Sequence, residues 1–410
     1  MKLKQKAPAN TKQKSIPSGK SSTVTNCSTG ERAMQYRRLG RTELQTSLLG
    51  MGGGYLMLLE EEMGTQLYQR AVDRGVNYFD GRYGDSSVKL RPVIKQDRQR
   101  FIVVSKTAET KAEGVLHRID EDLSILDTPY LDIYFLRCYN MEMLEERLAP
   151  GGAFEGLQRA RDQGKIHFTG LANHSEMDVL VAGIETGLVD VVIFPLNIVR
   201  REALDTLIPV AQQHDVGLVV MKPLSVGKIP VQIGLRWLVQ QPIHTIVPGM
   251  SSFEHLEIDL AAVEKEGPLT AEEEKEIERY RQTLDQVTCR ICDKICKAVC
   301  EKNLPIDWMI HHDVLYEHFR NLGLEGYLNF PFTTWVKKET EAHFSHRLEA
   351  VRSCTRCGLC EKVCPYHLPI MDMLEEMLEN HQQIIEAVRA QNWAEENKEA
   401  EPPYKIRAVK

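Results

Sequence analysis

Short apolar runs of strand length alternate with helix-length segments from residue 46 onward, and no other feature of the sequence constrains the fold as strongly. The runs are apolar along nearly their whole length, which is typical of parallel strands whose sheet is covered by helices. Eight such repeats predict an α/β fold, a (β/α)8 TIM barrel. The alternative is an open doubly wound sheet, but no G-x-G-x-x-G follows the first run. The runs are TSLLGMG (46–52), VNYFD (76–80), FIVVSK (101–106), LDIYFL (131–136), IHFTGL (166–171), VDVVIF (189–194), VGLVVM (216–221) and HTIVPG (244–249).

The composition is that of a globular protein with no preference for nucleic acid. The 410 residues are 42% hydrophobic and 27% charged, and the net charge is −7. Because a phosphate-binding surface needs clustered Lys and Arg, nucleic acid is not an expected partner. No apolar run approaches the roughly 20 residues that span a bilayer, and the N-terminus lacks the apolar segment of a secretion signal. We therefore expect a cytoplasmic protein that acts on a small molecule.

Polar side chains follow the ends of the predicted strands, where a barrel of this kind carries its function. A Tyr beside a Lys can have its phenol pKa lowered and act as a general acid near neutral pH, and a carboxylate can hold the Lys in place. We therefore predict a catalytic group of Asp80, Tyr83, Lys106 and Arg137. Further polar or small residues at the same end are Asn173, Asn197, Lys222, Gly249, Ser251 and Ser252.

Six stretches of the chain resemble, in the same order, the signature stretches of the aldo/keto reductase family. They are YRRLGRTELQTSLLGMGGG, VNYFDGRYGDSS, IVVSKT, LDIYFL, GKIHFTGLANH and VPGMSSFEHLEIDL, spread over roughly residues 35–285. In that family Asp, Tyr, Lys and His form a catalytic tetrad in which Tyr gives a proton to the substrate carbonyl, and a nicotinamide cofactor supplies hydride. The resemblance implies that Asp80, Tyr83 and Lys106 take the first three roles. It also implies NAD(P)H as a cofactor, bound by Asn173, Asn197, Lys222, Gly249, Ser251, Ser252 and His255.

The chain departs from the family pattern at its fourth catalytic position. Arg137 stands where the family has His, and a guanidinium only donates hydrogen bonds and stays charged. Arg137 can polarise a carbonyl or hold a carboxylate, but it is no simple substitute for His. In related enzymes a change here accompanies a switch from C=O to C=C reduction, so we expect reduction of a carbonyl or of an activated double bond.

Three further departures concern the same site. The Asp-to-Tyr spacing is two residues shorter than is usual in the family, and Ile193 stands where the family often has Gln. The stretch GMSSFEHLEID resembles a phosphate-binding loop and helix start, where backbone N–H groups favour an anion. It offers His255 but no Lys or Arg, so no preference for a 2′-phosphate is predicted.

Two cysteine runs lie beyond the predicted barrel, CRICDKICKAVC (289–300) and CTRCGLCEKVCP (354–365). Their successive cysteines are separated by 65, 65, 64 and 64 residues, and CEKNLPI after the first run parallels CPYHLPI after the second. This pattern indicates an internal duplication with one residue inserted between Cys292 and Cys296.

The second run has the C-x2-C-x2-C-x3-C-P spacing of bacterial ferredoxins, which predicts two 4Fe-4S clusters. In such proteins the fourth Cys of each run ligates the other cluster. Zinc is the alternative, but its sites usually pair two C-x2-C units across a spacer, and disulfides are disfavoured without a secretion signal. The predicted ligand sets are Cys289, Cys292, Cys296 and Cys364 for one cluster, and Cys354, Cys357, Cys360 and Cys300 for the other.

A branch of the aldo/keto reductases resembles this whole layout, with a ferredoxin-like C-terminal domain. The predicted organisation is a disordered basic tail (1–33), the barrel (34–285), a small, mostly helical ferredoxin-like iron–sulfur domain (286–395) and a polar tail (396–410). The first tail has seven Lys and Arg against a single Glu and almost no large apolar residues, so it cannot bury enough surface to offset its ordering entropy.

Three functions fit this organisation. The first is an oxidoreductase whose clusters carry electrons to or from the barrel, with a redox protein as a candidate partner. The second is an electron-transfer protein on a barrel that has lost reductase chemistry, and the third keeps the barrel catalytic and makes the clusters structural. Nicotinamide moves two electrons as hydride whereas clusters move one at a time, so direct exchange needs a converter such as a flavin, for which the sequence shows no motif.

Overall fold

The computed structural model describes residues 34–81, 85–290, 292, 295–306, 316, 319, 320, 323, 324 and 349–390. The predicted tails 1–33 and 396–410 lie outside the described residues, and so does Tyr83. The described residues belong to one compact unit.

Eight parallel strands, adjacent in sequence order, form a barrel. Parallel bridges from Leu49 to Ile246 and from Gly52 to Gly249 join the first of these strands to the last. The predicted TIM barrel is therefore confirmed. The strands are β3 (Met51–Gly52), β4 (Tyr78–Asp80), β5 (Ile102–Thr107), β6 (Leu131–Arg137), β7 (Ile166–Ala172), β8 (Val191–Pro195), β9 (Gly217–Met221) and β10 (Thr245–Val247).

The first predicted strand, residues 46–52, is wrong as a single element. Its beginning belongs to β2 (Gln45–Ser47), which pairs antiparallel with β1 (Tyr36–Arg38). Ser47 ends β2 because its hydroxyl donates to Leu49 O at 2.7 Å and its N–H donates to Asn77 Oδ1 at 2.8 Å. Leu39, in the turn between β1 and β2, is fully buried against the residues that line the barrel interior. The hairpin therefore covers the N-terminal end of the barrel and leaves the opposite end to function.

Helices follow the strands and cover the outside of the barrel. Short 3-10 segments lie at Gly40–Thr42, Leu56–Leu58, Arg98–Arg100, Glu202–Leu204 and Ser225–Gly227. The barrel helices are α1 (Glu61–Asp73), α2 (Ser86–Ile94), α3 (Ala112–Leu126), α4 (Met141–Leu148), α5 (Ala153–Asp162), α6 (Met177–Glu185), α7 (Leu207–Gln213), α8 (Val231–Val239), α9 (Phe253–Val263) and α10 (Ala271–Asp285).

Side chains fill the barrel interior, so the site has to lie at its mouth rather than along its axis. Phe135 on β6 fills space that its neighbour Gly170 on β7 leaves open, since a Cβ at Gly170 would come 2.3 Å from the Phe135 ring. The buried interior residues are Leu39, Tyr78, Ile102, Val104, Ile133, Phe135, Ala172, Val191, Ile193, Val219 and Val247.

Beyond α10 the chain forms a second apolar core around the cysteines. Its helices are α11 (Ile295–Ala298), α12 (Leu359–Val363) and α13 (Ile370–Ala390). Cys360 and Cys364 are buried in this core, and Cys289, Cys296, Cys300 and Cys354 pack against it. Leu374 and Met377 of α13 belong to the same core.

The internal duplication seen in the sequence is also visible in the backbone conformation that follows each cysteine run. Asn303 and His367, each three residues after the fourth Cys of a run, both adopt a left-handed conformation with φ of 50° and 53°. Each donates its N–H to the carbonyl of that Cys, at 2.8 Å for Asn303 and 3.1 Å for His367. The Leu-Pro-Ile segments that follow bury Leu304 with Ile306 and Leu368 with Ile370. The two cysteine runs therefore share one local fold where they can be compared.

No helix in the described part of the chain is both long enough and apolar enough to cross a membrane.

Candidate active site and iron–sulfur region

The parallel strands bring three of the predicted catalytic residues, Asp80, Lys106 and Arg137, to one end of the barrel. Asp80 is the last residue of β4, and Lys106 lies near the end of the neighbouring strand β5. Lys106 Nζ donates to Asp80 Oδ2 at 2.8 Å, and the two side chains are only 4% and 5% exposed. The second carboxylate oxygen, Asp80 Oδ1, is buried and has no hydrogen-bond partner among the described residues. Because burying charges is costly unless they are paired, this ion pair has to be held together by the fold.

A cavity of about 440 Å³ opens beside this pair, and Arg137 lines it together with Lys106. Arg137 ends β6, and its Nε is buried with no hydrogen-bond partner in the described part of the chain. A buried N–H without an acceptor is costly, so a ligand with an oxygen acceptor is favoured there. The remaining lining residues are Thr107, Ala108, Glu109, Thr110 and Arg118.

The loop after β5, which forms one wall of this cavity, is fixed from behind by a second arginine. Arg147 on α4 is fully buried, and its Nη2 donates to Ala108 O at 2.7 Å while its Nη1 donates to Met143 O at 3.1 Å. Arg118, which also lines the cavity, forms an ion pair with Glu121 on the same helix. Of the two cavity arginines, Arg137 is thus the one whose charge is available to a ligand.

Asn173 and Asn197 follow β7 and β8 and differ in how far the protein already uses them. Asn173 Oδ1 accepts from the backbone N–H groups of Ser175 and Glu176, and its Nδ2 is buried without a partner among the described residues. Asn197 Oδ1 likewise accepts two backbone N–H groups, but its Nδ2 donates to Lys222 O at 3.0 Å. Asn173 is therefore the better placed of the two to bind the carboxamide of a nicotinamide.

Lys222 follows β9 in a left-handed conformation, with φ of 53°. Burial lowers the pKa of Lys222 to about 8, and the charge of Arg200 contributes in the same direction. This lysine is therefore less strongly cationic than a solvated one. The cation that acts on it, Arg200, was not among the residues predicted from the sequence.

The loop after β10 holds the predicted anion-binding residues at the start of α9. Ser252 caps the helix, since its Oγ accepts from His255 N at 3.1 Å, and Ser251 N donates to His255 Nδ1 at 3.3 Å. Gly249 has no room for a side chain, because a Cβ there would come 2.3 Å from the Tyr55 ring. The loop is thus a capped helix start with Tyr55, a residue that sequence reasoning missed, packed against it.

The structure brings Cys300 of the first run to the three leading cysteines of the second. Cys300, Cys354, Cys357 and Cys360 line one narrow cavity, closed on one side by Met371 and Leu374 of α13. All eight thiols of the two runs are free of disulfides. No set of three or more ligand side chains within the described residues converges on a single-ion site. A donor set of four thiols spaced around a cavity suits a cluster that each thiolate holds at a different iron.

The other free thiol in the described residues, Cys138, lies elsewhere and takes no part in this arrangement. It is buried in the core outside the barrel, and burial raises the pKa of its thiol to about 11. Such a thiol is inert at neutral pH.

The end of the second cysteine run meets the barrel at the loop after β8, and the start of the first run packs beside it. Tyr366, two residues past Cys364, donates its hydroxyl to Glu202 Oε1 at 3.0 Å. The guanidinium of Arg290, next to Cys289, lies over the Tyr366 ring at 4.3 Å. Arg200 lies in the same loop as Glu202 and is buried. Sequence reasoning missed Arg200, Glu202 and Tyr366. Arg200 and Glu202 fall in no motif, and Tyr366, although it lies in CPYHLPI, is linked to Glu202 only by the three-dimensional contact.

Comparisons with known proteins agree with both halves of the structure. Residues 49–231 match the model of the aldo/keto reductase family, and residues 287–369 match the model of a 4Fe-4S dicluster domain. L-galactose dehydrogenase of Arabidopsis thaliana is 26% identical over 230 residues, which cover 51% of this chain and 71% of that protein. Among solved structures, the holo form of aldo-keto reductase AKR11C1 from Bacillus halodurans has a TM-score of 0.53 at 20% identity, covering 60% of this chain and 96% of that one. The structural likeness concerns the fold.

Proposed function

We propose that this oxidoreductase of the aldo/keto reductase type reduces a carbonyl or an activated double bond at the mouth of its barrel. Its aldo/keto reductase domain is followed by a 4Fe-4S dicluster domain. The observation that carries this proposal is the buried Lys106–Asp80 pair beside the cavity that Arg137 lines. The reduction takes up two electrons and two protons per substrate. Bound NAD(P)H would supply two electrons as hydride, and the two clusters would supply or accept single electrons.

Proton delivery is assigned to Tyr83, on the strength of its place in the family motif. Lys106 would stand next to the phenol, stabilise its anionic form and so lower its pKa towards neutrality. Asp80 would hold the Lys106 ammonium in position. Its buried Oδ1, which lacks a partner among the described residues, leaves a further acceptor for a hydrogen-bond network in the site.

Arg137 is assigned to the substrate rather than to proton transfer, because a guanidinium does not release a proton at physiological pH. It would donate to an oxygen of the substrate, either the reacting carbonyl or a carboxylate beside it. It is the cation of this cavity that forms no ion pair among the described residues, so we propose a substrate that is an oxo acid or another anionic carbonyl compound. Arabidopsis L-galactose dehydrogenase, by its name, oxidises a sugar. The carbonyl reduction proposed here is likewise a conversion between a hydroxyl and a carbonyl group.

The residues for a nicotinamide cofactor are Asn173, whose buried Nδ2 suits the carboxamide, and the start of α9 with Ser251, Ser252 and His255. The N-terminus of a helix favours an anion such as a pyrophosphate. Asn197, Lys222 and Gly249 would shape the site, since their described contacts are mainly with the protein itself. NADH and NADPH are left as equal candidates.

The clusters are assigned to the ligand sets predicted from the two runs, and a redox protein is the proposed partner for the exposed Cys357 side. The cytoplasm remains the proposed compartment.

An electron-transfer protein without reductase activity is the second candidate function. The observation in its favour is that Arg137 replaces the His of the tetrad.

The experiment is an anaerobic assay of the iron-loaded protein with NADH or NADPH and a panel of oxo acids, neutral aldehydes and activated alkenes. The proposal predicts substrate-dependent nicotinamide oxidation that Tyr83→Phe abolishes. Oxidation that persists in Tyr83→Phe would remove the assigned proton donor. No turnover of any class, with both clusters intact, would favour the electron-transfer candidate.

A further inference from the structure

The loop after β8 carries a buried guanidinium that forms no ion pair within the described residues. Arg200 is 8% exposed, and its Nε has no hydrogen-bond partner in that part of the chain. Within the described residues no carboxylate lies at ion-pair distance from it. Burial lowers the pKa of Arg200, which means that the charged form is held at a cost. A buried charge of this kind needs a counter-ion.

The backbone of Arg200 is fixed, so the side chain cannot escape to solvent by a loop movement alone. Arg200 N donates to Asn197 Oδ1 at 2.9 Å, and Asn197 N donates to Arg200 O at 3.1 Å. The two residues between them, Ile198 and Val199, are buried in an apolar cluster with Ile233 of α8 and Ile277 of α10. The guanidinium is therefore held where it is by the packing of the barrel.

The groups whose charges reach Arg200 all lie at the junction with the first cysteine run. They are Glu202, Cys289, Tyr366 and Arg290. Glu202 already accepts the Tyr366 hydroxyl, and Arg290 has its own counter-ion, because it pairs with Asp285 and also donates to Thr288 O. Glu202 therefore acts on Arg200 from beyond ion-pair distance, and Cys289 is a second anionic group when it ligates iron as a thiolate.

We propose that Arg200 is the counter-ion of the 4Fe-4S cluster held by Cys289, Cys292, Cys296 and Cys364, and that its fixed charge raises the reduction potential of that cluster. The inference rests on the cluster ligation proposed above. A cluster held by four thiolates is an anion, and it gains one more negative charge when it accepts an electron. A fixed cation nearby stabilises the reduced form more than the oxidised one, and net charge is one of the factors that set cluster potentials.

Arg200 also connects this cluster to the barrel mouth. Its charge acts on Lys222, and Asn197, which holds the Arg200 backbone, also donates to Lys222 O. The charge state of the cluster proposed at the first run would therefore be felt, through Arg200, at the residues proposed to bind the cofactor.

The test is a redox titration of the anaerobic holoprotein with dithionite, followed by electron paramagnetic resonance, without nicotinamide or substrate. Arg200→Met removes the charge, and Arg200→Gln is a second neutral variant that keeps a polar side chain. Arg200→Lys keeps the charge. Arg201→Met is the matched control, because Arg201 is the next residue and is exposed. Iron content and circular dichroism decide which neutral variant is folded and loaded with both clusters.

We expect a neutral variant to move one midpoint potential to a more negative value, with the reduction equilibrium at least tenfold weaker, which is 59 mV for a one-electron couple. The other midpoint potential should stay in place, and Arg200→Lys and Arg201→Met should match the wild type. Two unchanged midpoints in the neutral variant would overturn the proposal, and so would an equal shift of both. A shift in Arg200→Lys as large as that in the neutral variant would show a packing effect instead. Protein that binds no iron would refute the proposed clusters themselves, an outcome distinct from these.

Discussion

Lys106 donates to Asp80 across two neighbouring barrel strands at 2.8 Å, and both side chains are almost completely withdrawn from solvent. The pair joins the end of β4 to the end of β5, so its geometry follows from the parallel register in which Asp80 lies opposite Val104. Charges in such a place stabilise a fold poorly compared with apolar residues, which is why buried ion pairs so often belong to functional sites.

The first prediction separates the catalytic role of this pair from its structural one. Lys106→Met leaves the Asp80 carboxylate buried without its partner and should cost about 3–5 kcal/mol of unfolding free energy. The double variant Asp80→Asn/Lys106→Met removes both charges and should regain most of that stability. Both variants should be inactive, because both lack the Lys106 cation that lowers the pKa of the Tyr83 phenol. Urea denaturation and an anaerobic turnover assay measure the two effects, and recovered turnover in the double variant would contradict the assigned role.

Arg137 should determine which substrates the barrel accepts. A hydrogen bond to a charged group contributes about 1.5–3 kcal/mol, so Arg137→Met should lower kcat/KM for an oxo acid by roughly 10- to 100-fold and that for a neutral aldehyde much less. Arg118→Met is the control within the same cavity, because Arg118 already has Glu121 as its ion-pair partner. An equal loss for both substrates in Arg137→Met would mean that the arginine serves the reacting carbonyl rather than a carboxylate.

The cavity lined by Cys300 and three cysteines of the second run leads to a prediction about ligand pairing. Cys300→Ala should remove the same paramagnetic signal as Cys357→Ala, although Cys300 belongs to the first run. Cys292→Ala should remove the other signal, and each of the three variants should lose about half of the bound iron. Cys138→Ala serves as the control and should keep all of it. Loss of the same signal in Cys300→Ala and Cys292→Ala would mean that each run holds its own cluster.

His244 should make the protein less stable in mild acid. Its Nδ1 accepts from Leu218 N at 2.8 Å, which requires the neutral ring. Burial lowers the pKa of His244 to about 4, and Arg37 and Arg38 contribute in the same direction. Because the folded pKa lies below the ordinary value of 6.5, this group stabilises the fold above pH 6.5, and that contribution is lost as the pH falls towards 4.

The matched variant for this effect is His244→Asn, which keeps an acceptor oxygen but does not titrate. Between pH 7 and pH 5 the unfolding free energy of the wild type should fall relative to this variant by about 1–2 kcal/mol. His117→Asn removes an exposed histidine and should run parallel to the wild type. A constant difference between wild type and His244→Asn across this range would rule out the neutral, accepting ring.

Much of the barrel could be predicted from the sequence because its strands are continuous apolar runs between turn residues. The run at 131–136, for example, corresponds to β6, with the boundary displaced by a single residue at Arg137. The hairpin of β1 and β2 could not be predicted, since YRR and QTS are short and polar and are held by pairing and by the burial of Leu39.

Some parts of the candidate site could likewise be predicted from the sequence and others could not. Asp80 and Lys106 lie at strand ends that the alternating pattern fixes, so their proximity follows from the barrel. Asn197 looked free to bind a cofactor, but its amide holds the loop that carries Arg200. Glu202 and Tyr366 are 164 positions apart and meet only because the chain returns to the barrel after the second cysteine run. No local pattern in the sequence encodes such a contact.

The central claim is that the barrel and the cluster region exchange electrons, and one anaerobic measurement tests it directly. NADH or NADPH is added to protein of known iron and sulfide content, and the nicotinamide absorbance and the visible cluster absorbance are followed together. A flavin (FMN) is included in the assay as the two-to-one-electron converter, because hydride carries two electrons and each cluster accepts one. The account predicts that the clusters then bleach as the nicotinamide is oxidised, with two clusters accepting one electron each and one proton released for every hydride equivalent. Clusters that dithionite bleaches but that neither nicotinamide reduces, in protein that binds neither nicotinamide, would contradict it.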